Sequence, residues 1–515
     1  MDKNRRTFLN VLAQYVRTII NICLSLYSTR LALQALGKSD YGLFMLVGGV
    51  VAMLAFLTNA MVVTTQRHLS FYYGKKDLQQ VKTVFSNALI SHICLGLLLV
   101  AILFAVRPLL IAEQDGYLNI DLERIATTKT VYLIVVATLF MTFITAPFRA
   151  LFIARENIVF ISIVDICDGI IKVALVLCIF WVDTDKLLFY ALIFLFVQSL
   201  NFLVFSLFAN RKYAECSLLP RIKDVKWSEI GRIFNFAGWT IYGNACVIAR
   251  TQGVAVLLNR FFGTVINSAY GIATQVYGST AFLSQAILNA MSPRVIKAEG
   301  AGDRQLMLRL AGVTSKFCFL LLSMFTIPLC FEMNGVLNFW LGEQNVPEYA
   351  AVFCQCMIIA MICDQITAGL IVANRAIGKI RNYQLLINTT KVMTIPLVWL
   401  SLHLEYPVAW TMYIYIFFEL LCAVIRLFYM KATTTLSLIG YSKQVFGKIF
   451  LPTVTLVVVC VLCTMLPAMK FRFLITLALA VGVDVLIVYF CALEKTERDI
   501  VLKFLHRKQN DKKGI

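Results

Sequence analysis

Fourteen predominantly apolar stretches, each about as long as a membrane-spanning helix, dominate this sequence of 515 residues. A helix needs about 20 apolar residues to cross the roughly 30 Å hydrocarbon layer of a bilayer. The mean hydropathy of +0.80 and the charged fraction of 15% are typical of a membrane protein and not of a soluble one. We therefore predict an all-α polytopic membrane protein with about fourteen transmembrane helices, near residues 8–33, 41–64, 84–111, 129–150, 158–182, 186–209, 233–259, 265–291, 311–339, 348–373, 383–402, 406–430, 447–467 and 471–493.

The basic residues are distributed unevenly between the two faces that this prediction defines. If the N-terminus is cytoplasmic and basic residues near the ends of spans are counted with the adjoining connections, Lys and Arg number 33 on the cytoplasmic side, 8 outside and 6 well within the spans. With the acidic residues included, the cytoplasmic face carries +21 and the outer face −2. This is the positive-inside pattern of short membrane loops. It predicts that both termini are cytoplasmic, and it explains the net charge of +19 without a nucleic-acid partner.

The connections between the spans leave little room for function outside the membrane. The longest external connection, near 112–128, is too short for a folded domain, and no G-x-x-x-x-G-K-[ST] motif for nucleotide phosphates occurs. The fifteen cysteines and four histidines show no spacing that would bind a metal. We therefore expect the function to lie among the helices, with no cofactor, no metal and no enzyme activity.

Short similarities that recur in the same order indicate an internal duplication. LALQALGKSDYGLF at 31–44 matches LLNRFFGTVINSAYGIA at 257–273, and a segment beginning N-A-M follows in each half. A later match, at an offset of 219, places Lys172 opposite Lys391. Because the repeat comprises six helices, both halves have the same orientation in the membrane, and such halves hold substrate near the midplane between them. The predicted domains are two six-helix bundles, two additional helices and a basic tail, at 1–210, 211–430, 431–493 and 494–515.

Two segments of the first half resemble a known family. RLALQALGKSDYGLF at 30–44 and PFRALFIAREN at 147–157 are similar to the polysaccharide flippase branch of the multidrug/oligosaccharidyl-lipid/polysaccharide (MOP) exporter superfamily, and the helix count extends the likeness over nearly the whole chain. The resemblance implies two bundles that move an undecaprenyl-diphosphate-linked oligosaccharide from the cytoplasmic to the outer leaflet of a bacterial inner membrane. It also implies that the last two helices line a groove for the lipid tail. It does not imply which glycan is carried.

Six basic side chains lie inside predicted spans, where an unpaired charge costs a few kcal/mol or more and marks a candidate functional site. In the first span, Arg17 belongs to a stripe of polar residues that recur every three to four positions and therefore share one helix face. No acid occurs in this span, and the guanidinium fork suits phosphate. We predict that Arg17 and Asn21 contact the substrate, and the alternatives for Arg17 are an acid on another helix or a position at the interface. The stripe comprises Asn10, Gln14, Arg17, Asn21, Ser25 and Ser28.

The remaining cations fall into two groups. Arg250 and its neighbour Asn244, and Lys391, have no acid in their own spans and are predicted substrate ligands. Lys172 is a weaker candidate because Asp168 lies four residues before it on the same face and would neutralise it. For the two lysines the alternative is a structural ion pair between helices. Arg30 and Arg426 are assigned to the interface, with a structural pair to Glu419 as the alternative for Arg426.

Intramembrane acids are candidates for ion coupling. Asp168 and Asp364 are assigned either to coupling or to charge balance, and Asp484 is a further candidate for coupling. Whether transport is coupled to an ion gradient stays open at this stage.

Together these patterns predict a flippase for an undecaprenyl-diphosphate-linked oligosaccharide of cell-surface polysaccharide or lipopolysaccharide, working by alternating access through a cationic cavity. Its partners are the lipid-linked glycan and the surrounding membrane lipid. The main alternative is a cation-coupled multidrug exporter of the same fold, which would need a net acidic cavity. A membrane glycan polymerase or acyltransferase is the second alternative, and it would need a His or acid dyad that the sequence does not show.

Overall fold

The computed structural model of the chain describes residues 3–52, 55–111, 122–216, 227–341, 343, 346–465, 467, 471–494 and 497–498. Within these ranges the regular structure is helical, and no β-strand occurs in them. The α-helices in chain order are α1 (Lys3–Ala52), α2 (Ala55–Gly74), α3 (Leu78–Leu110), α4 (Ile125–Ala154), α5 (Ile158–Cys178), α6 (Lys186–Lys212), α7 (Trp227–Gly300), α8 (Arg304–Phe331), α9 (Met333–Leu341), α10 (Ala350–Gln365), α11 (Ala368–Ile377), α12 (Ile380–Val392), α13 (Thr394–His403), α14 (Trp410–Thr433), α15 (Leu438–Gln444), α16 (Phe446–Thr464) and α17 (Arg472–Ile487).

The prediction of an all-α polytopic membrane protein is confirmed. Nine segments of the described chain are long and apolar enough to cross a membrane, or ten if α10 and α11, bent by 46° at their junction, form one broken span. The predicted span near 158–182 is present as α5 but is not one of these, because Asp165, Asp168 and Lys172 interrupt its apolar run. These charges account for one of the four predicted spans that are not among the segments; the other three, near 8–33, 41–64 and 265–291, lie in α1, α2 and α7.

Two connections expected from the sequence are helical in the structure. The predicted turns near 34–40 and 260–264 lie inside α1 and α7, which continue through them. No proline interrupts either segment, so nothing in the chain removes a backbone donor there. Each of these two helices has enough residues for two membrane spans at about 1.5 Å per residue.

Two sharp turns repeat the same local structure in the two halves of the chain. Asp77 caps α3 by accepting a hydrogen bond from the backbone N–H of Gln80 at 3.0 Å, and Asp303 caps α8 in the same way with Leu306 at 2.9 Å. The residue before each cap has a positive φ, 58° at Lys76 and 82° at Gly302. The two N-A-M segments thus end in equivalent helix starts.

Counted from the start of its helix, Lys172 lies at a different position from Lys391, its predicted counterpart in the second half. Lys172 lies fourteen residues after the first residue of α5, whereas Lys391 lies eleven residues after the first residue of α12. Each helix follows a turn with a positive φ, at Glu156 and at Gly378. Counted from these turns, the residue equivalent to Lys391 is Gly169, and the alignment of Lys172 with Lys391 is displaced by nearly one helical turn.

The chain divides into two compact units of similar size. The N-terminal unit comprises residues 8–241 with 300–302, and the C-terminal unit comprises residues 1–7, 242–299 and 303–515. The division after residue 241 falls inside α7, and α16 and α17 belong to the C-terminal unit. The four predicted domain ranges stay predictions, and most of the basic tail at 494–515 lies outside the described residues.

The N-terminal unit contains several apolar cores, of which two are large. The larger one joins α1, α3, α4, α5 and α6 around buried side chains such as Tyr132, whose hydroxyl donates to the carbonyl of Leu103 at 2.9 Å. The second core is rich in phenylalanine, with Phe85, Phe148 and Phe152 completely buried. These cores hold α1, α4 and α5 beside one another.

In the C-terminal unit, α16 and α17 pack against α8 around Ile327, Leu456, Cys460 and Ala480. Two ion pairs anchor this contact: Arg472 binds Glu332 at 2.9 Å and Lys316 binds Glu497 at 2.7 Å. Glu332 and Lys316 are buried, so each pair is shielded from solvent on at least one side. The helices α16 and α17 are therefore held against α8 within the C-terminal unit.

Candidate functional site

Two arginines converge on one carboxylate in the N-terminal unit. Asp165 of α5 accepts hydrogen bonds from both terminal nitrogens of Arg149 on α4, with Nη1–Oδ1 at 2.9 Å and Nη2–Oδ2 at 2.6 Å. Arg17 of α1 donates from Nη1 to Oδ2 of the same carboxylate at 2.8 Å. With two cations and one anion, this cluster carries a net charge of +1. Two guanidinium groups around one pair of oxygens is the arrangement that proteins use to hold phosphate and carboxylate groups.

This arginine cluster lies on the wall of an open cavity. The cavity has a volume of about 470 Å³, and it is lined by Arg17, Thr18, Asn21, Ile22, Ser25, Arg149 and Asp165. The arginine side chains are 22% and 35% exposed, so both reach the cavity while remaining paired with Asp165. The predicted polar stripe of α1 is thus partly a cavity wall.

The other end of the stripe has a different role. Asn10 is buried and donates its amide N–H to the carbonyl of Glu156 at 2.9 Å, and Gln14 is buried as well. Asn10 thus ties α1 to the turn between α4 and α5. The part of the stripe from Arg17 onward lines the two cavities described here.

A second cavity adjoins the first and contains the other predicted residues of this half. It has a volume of about 310 Å³, and Asn21, Ser25 and Asp165 line both cavities. Asp168 and Lys172 lie on its wall. The complete lining is Asn21, Leu24, Ser25, Ser28, Phe44, Asp165, Asp168, Gly169, Lys172, Tyr190 and Phe194.

Asp168 and Lys172 do not form the ion pair that their spacing predicts. Asp168 accepts a hydrogen bond from the amide of Asn201 at 3.0 Å, and the Lys172 ammonium lies 3.6 Å from the centre of the Phe194 ring. No carboxylate of the described residues lies within 4.0 Å of that ammonium. The i,i+4 spacing allowed a pair, but each side chain has a closer partner on α6.

In the C-terminal unit the predicted cations are joined in a buried chain of ion pairs, which we call the ion chain. Glu419 of α14 binds Arg250 of α7 at 2.7 Å and Lys391 of α12 at 2.8 Å. Asp364 of α10 binds Lys391 at 3.4 Å and Arg426 of α14 at 2.7 Å. Arg250, Glu419 and Arg426 are each no more than 3% exposed. Five charges thus alternate in sign through four helices.

Aromatic and hydroxyl groups complete the ion chain. The Arg250 guanidinium lies 4.0 Å from the centre of the Tyr415 ring, and Arg426 donates to Thr367 Oγ1 at 2.9 Å. Thr367 lies at the junction of α10 and α11, where Arg426 also reaches the Asp364 carbonyl at 3.4 Å. Arg426 therefore supplies donors at the bend, where the helical hydrogen bonding is interrupted.

These contacts correct the premise that Arg17, Arg250 and Lys391 are unpaired. Each binds an acid that comes from another helix, which the sequence analysis named as the alternative for Arg17 and Lys391. Arg426 is buried and forms a structural ion pair, the alternative given for it, but its partner is Asp364 and not Glu419. The side chain of Arg30 lies outside the described residues.

The remaining predicted residues take the following positions. Asp364 balances Lys391 and Arg426 in the ion chain. Asn244 is half-buried on α7, six residues before Arg250, and does not belong to the ion chain. Asp484 is buried on α17, and its Oδ1 has no hydrogen-bond partner among the described residues. The substrate and coupling roles of all these residues stay predictions.

Sequence reasoning missed three residues that the structure makes prominent. Arg149 was placed at the end of a span and read with a cytoplasmic loop, although the apolar run Ala150–Ala154 after it continues α4. Glu419 was considered only as a partner for Arg426. Lys316, which is 1% exposed on α8, was not recognised as an intramembrane cation because it lies near the start of its span. In the part of the chain that the structure describes, no group of three potential metal ligands comes together.

Comparison with known proteins supports the fold and nothing finer. No family profile matches the sequence, and no curated protein matches it. Among solved structures, similar ones are a multidrug resistance MATE family transporter of the MOP superfamily in an outward-facing conformation (TM-score 0.69, 12% identity) and a MATE transporter of Vibrio cholerae (TM-score 0.69, 14% identity). Each match covers 84% of this chain, and they cover 96% and 97% of the respective relatives.

A third similar structure is a MOP superfamily transporter from Pyrococcus furiosus, with a TM-score of 0.67 and 12% identity over 84% of this chain and 96% of that one. That protein is described as having a binding pocket of reversed polarity, which suggests a different function for it. At identities of 14% or less, these likenesses concern the fold alone. The chain has the fold of the MOP superfamily transporters.

Proposed function

We propose that this protein is a membrane transporter that flips an undecaprenyl-diphosphate-linked oligosaccharide, with the diphosphate held by Arg17 and Arg149. The observation that carries the proposal is the pair of guanidinium groups that converge on Asp165 in an open cavity with net positive charge. The carboxylate of Asp165 occupies the position that a phosphate group of the substrate would take. The fold and the resemblance of the segments at 30–44 and 147–157 agree with this proposal.

The two halves of the chain contribute differently to the proposed site. In the C-terminal unit, Arg250 is 2% exposed and bound to Glu419, and Lys391 has two carboxylate partners. An anion that bound there would have to displace buried carboxylates, which costs several kcal/mol. The arginine side chains of the N-terminal cluster are 22% and 35% exposed and line a cavity, and the carboxylate that an anion would displace there, Asp165, is less buried than Glu419. We therefore assign the anion site to Arg17 and Arg149, and a structural role to the ion chain.

A cation-coupled multidrug exporter is the second candidate. Two observations favour it: the MATE transporters among the similar structures, and the carboxylate of Asp168 on the wall of the second cavity. The lining of the first cavity opposes it, because two arginines outnumber the single acid there. The two candidates differ in the charge of the transported molecule.

A reconstitution experiment distinguishes the two candidates. The purified protein in proteoliposomes would be tested with a fluorescent prenyl-diphosphate-linked sugar, whose transbilayer movement is followed by quenching from outside. We expect Arg17→Gln and Arg149→Gln each to lower the initial rate at limiting substrate about 10- to 100-fold, since each removes charge-assisted hydrogen bonds to the diphosphate. Arg124→Gln is the matched control, because Arg124 also binds two carboxylates, Asp40 and Asp185, but lines neither cavity.

Unchanged rates in both cavity variants would refute the assignment of the diphosphate site. Transport of a lipophilic cation such as tetraphenylphosphonium by the same proteoliposomes, without movement of the diphosphate lipid, would favour the multidrug exporter instead.

A further inference from the structure

The two adjoining cavities of the N-terminal unit differ in the chemistry of their walls. The first has two guanidinium groups, which only donate hydrogen bonds. Among the described residues that line the second cavity there is no arginine, and the charged groups are Asp165, Asp168 and Lys172. Because Asn21, Ser25 and Asp165 line both, a ligand that fills the first cavity extends directly into the second.

One wall of the second cavity is aromatic. The Phe44 ring lies 4.7 Å from Tyr190 and 5.1 Å from Phe194, and Tyr190 and Phe194 are 5.1 Å apart, measured between ring centres. All three residues line the cavity. Aromatic faces carry partial negative charge and attract the polarised C–H bonds of a ligand. An aromatic wall opposite polar groups is suited to a ligand with both C–H faces and hydroxyl groups.

Polar groups at the junction of the two cavities include one without a partner. The side-chain oxygen Oδ1 of Asn21 is shielded from solvent and accepts no hydrogen bond from the described residues. It lies close to Gly169 of α5, where an added Cβ would be 3.2 Å from this oxygen and 2.8 Å from Leu24 Cδ1. A buried acceptor without a donor costs free energy unless a ligand or water supplies the donor. The glycine keeps the space beside that acceptor open.

We propose that the second cavity binds the first sugar of the lipid-linked glycan. This proposal rests on the proposed function, because it takes the diphosphate to be bound by Arg17 and Arg149. Asp168 and Asn21 accept hydrogen bonds from sugar hydroxyl or amide groups, the Lys172 ammonium donates to sugar oxygens, and the aromatic wall contacts a C–H face of the ring. The chemical class of the ligand is a neutral hexose or N-acetylhexosamine joined directly to the diphosphate.

The spacing along α5 agrees with that class of ligand. Asp165 lies in the first cavity and Asp168 lies three residues further along the helix, on the wall of the second. Three residues rise about 4.5 Å along a helix, close to the width of one sugar ring. Lys172, one further turn along, marks the far end of this compartment. A sugar linked to the bound phosphate would therefore lie beside Asp168.

An acidic sugar fits this cavity less well. Of its lining carboxylates, Asp165 is bound by two arginines, but Asp168 has no cation of the described residues within 4.0 Å and accepts its hydrogen bond from the neutral Asn201. Placing a carboxylate there would bring like charges together in a medium of low dielectric constant, which is unfavourable. The inferred selectivity is therefore for uncharged sugars.

The test compares three lipids on the purified protein in nanodiscs: undecaprenol, undecaprenyl diphosphate, and undecaprenyl diphosphate linked to one hexose. We expect the diphosphate to bind more tightly than the alcohol, and the hexose to lower the Kd about tenfold further, as a few additional hydrogen bonds would. In the Asp168→Asn and Gly169→Ala variants, the Kd for the hexose-linked lipid should rise until it nearly equals the Kd for undecaprenyl diphosphate. In both variants the Kd for undecaprenyl diphosphate should stay within about twofold of the native value, because neither residue lines the first cavity.

Gly238→Ala is the matched control for the glycine variant, since an added Cβ at Gly238 meets no atom within 4 Å. The sugar site is refuted if the hexose adds no affinity to the native protein, or if Asp168→Asn and Gly169→Ala weaken both diphosphate lipids equally. The proposed function itself fails if undecaprenyl diphosphate binds no better than undecaprenol. These results are distinct, so the two proposals can fail separately.

Discussion

Asp165 determines what Arg17 and Arg149 are able to bind. In the structure it satisfies three N–H donors of the two arginines, at 2.6 to 2.9 Å. A diphosphate would have to compete with this carboxylate for the same donors. The carboxylate thus weakens anion binding while it prevents the two guanidinium groups from repelling each other. Such a balance suits a transporter, which must also release its substrate.

Removal of the Asp165 charge should destabilise the arginine cluster. Asp165→Asn should lower the free energy of unfolding by about 1–3 kcal/mol, because two partly buried cations lose their shared anion. The loss should be reversed by inorganic pyrophosphate, which takes the place of the carboxylate. Thermal denaturation with and without pyrophosphate measures both effects. Asp185→Asn, which disrupts the pair with Arg124 outside the cavities, should lose stability without recovery. Equal responses of the two variants would contradict this explanation.

How far the roles of these residues could be predicted depends on how far apart in the sequence their contact partners are. The position of Arg17 on a polar helix face could be predicted from spacing alone, because helical periodicity is a local property. Its partner could not, since Asp165 is 148 residues away in the chain and is brought near only by packing. Arg149 was missed for another reason: it was placed at the end of a predicted span and read with the cytoplasmic segment 147–157, whereas α4 continues to Ala154. Sequence spacing predicts which helix face a residue lies on, whereas its ion-pair partner is determined by the packing of the helices.

At the scale of helices, the ion chain connects α7, α10, α12 and α14 of the C-terminal unit. Three cations and two anions leave a net charge of +1 among buried groups. Every charged group in it has at least one partner of opposite sign, which is the condition for burying charge at tolerable cost. Glu419 is the central acid, because two cations depend on it.

The second prediction concerns this central acid. Glu419→Gln should lower the free energy of unfolding by about 3–5 kcal/mol, because Arg250 loses its ion-pair partner and Lys391 loses one of two while both remain buried. Adding Lys391→Met should restore part of the stability by removing one of the excess cations. The midpoint of denaturation by sodium dodecyl sulfate measures the change. A Glu419→Gln variant as stable as the native protein would show that the buried charges are compensated in another way.

The ion chain also changes how variants of Arg250 must be interpreted. Replacement of Arg250 by an acid would place two carboxylates together in a site that is nearly closed to solvent. A loss of transport in such a variant could then result from misfolding as readily as from the loss of a substrate ligand.

The apolar runs and most helix positions follow from the sequence, whereas the bend between α10 and α11 does not. Gln365 and Thr367 carry no proline or glycine signal, and the bend is supported by Arg426 from α14.

At the scale of the whole molecule, the charge distribution and the chemistry of the cavities serve different purposes. The predicted cytoplasmic excess of +21 is assigned to loops and the tail, where we expect it to orient the chain in the membrane and to attract anionic headgroups. The cationic site in the N-terminal unit needs only two arginines. A high net charge is therefore no measure of how an anionic substrate is bound, and the two properties can be tested independently.

The last prediction concerns orientation in the membrane. Moving a positive charge across a membrane against a potential of 100 mV costs about 2.3 kcal/mol, so the face with +21 should stay inside. Alkaline phosphatase fused after Asp183, between α5 and α6, should be active, because that segment is predicted to be external. Green fluorescent protein fused after Lys212, at the end of α6, should fluoresce, because that segment is predicted to be cytoplasmic. Exchanging the reporters between the two sites is the control and should abolish both signals. The opposite pattern would place the positive face outside and would remove the basis for a substrate that enters from the cytoplasm.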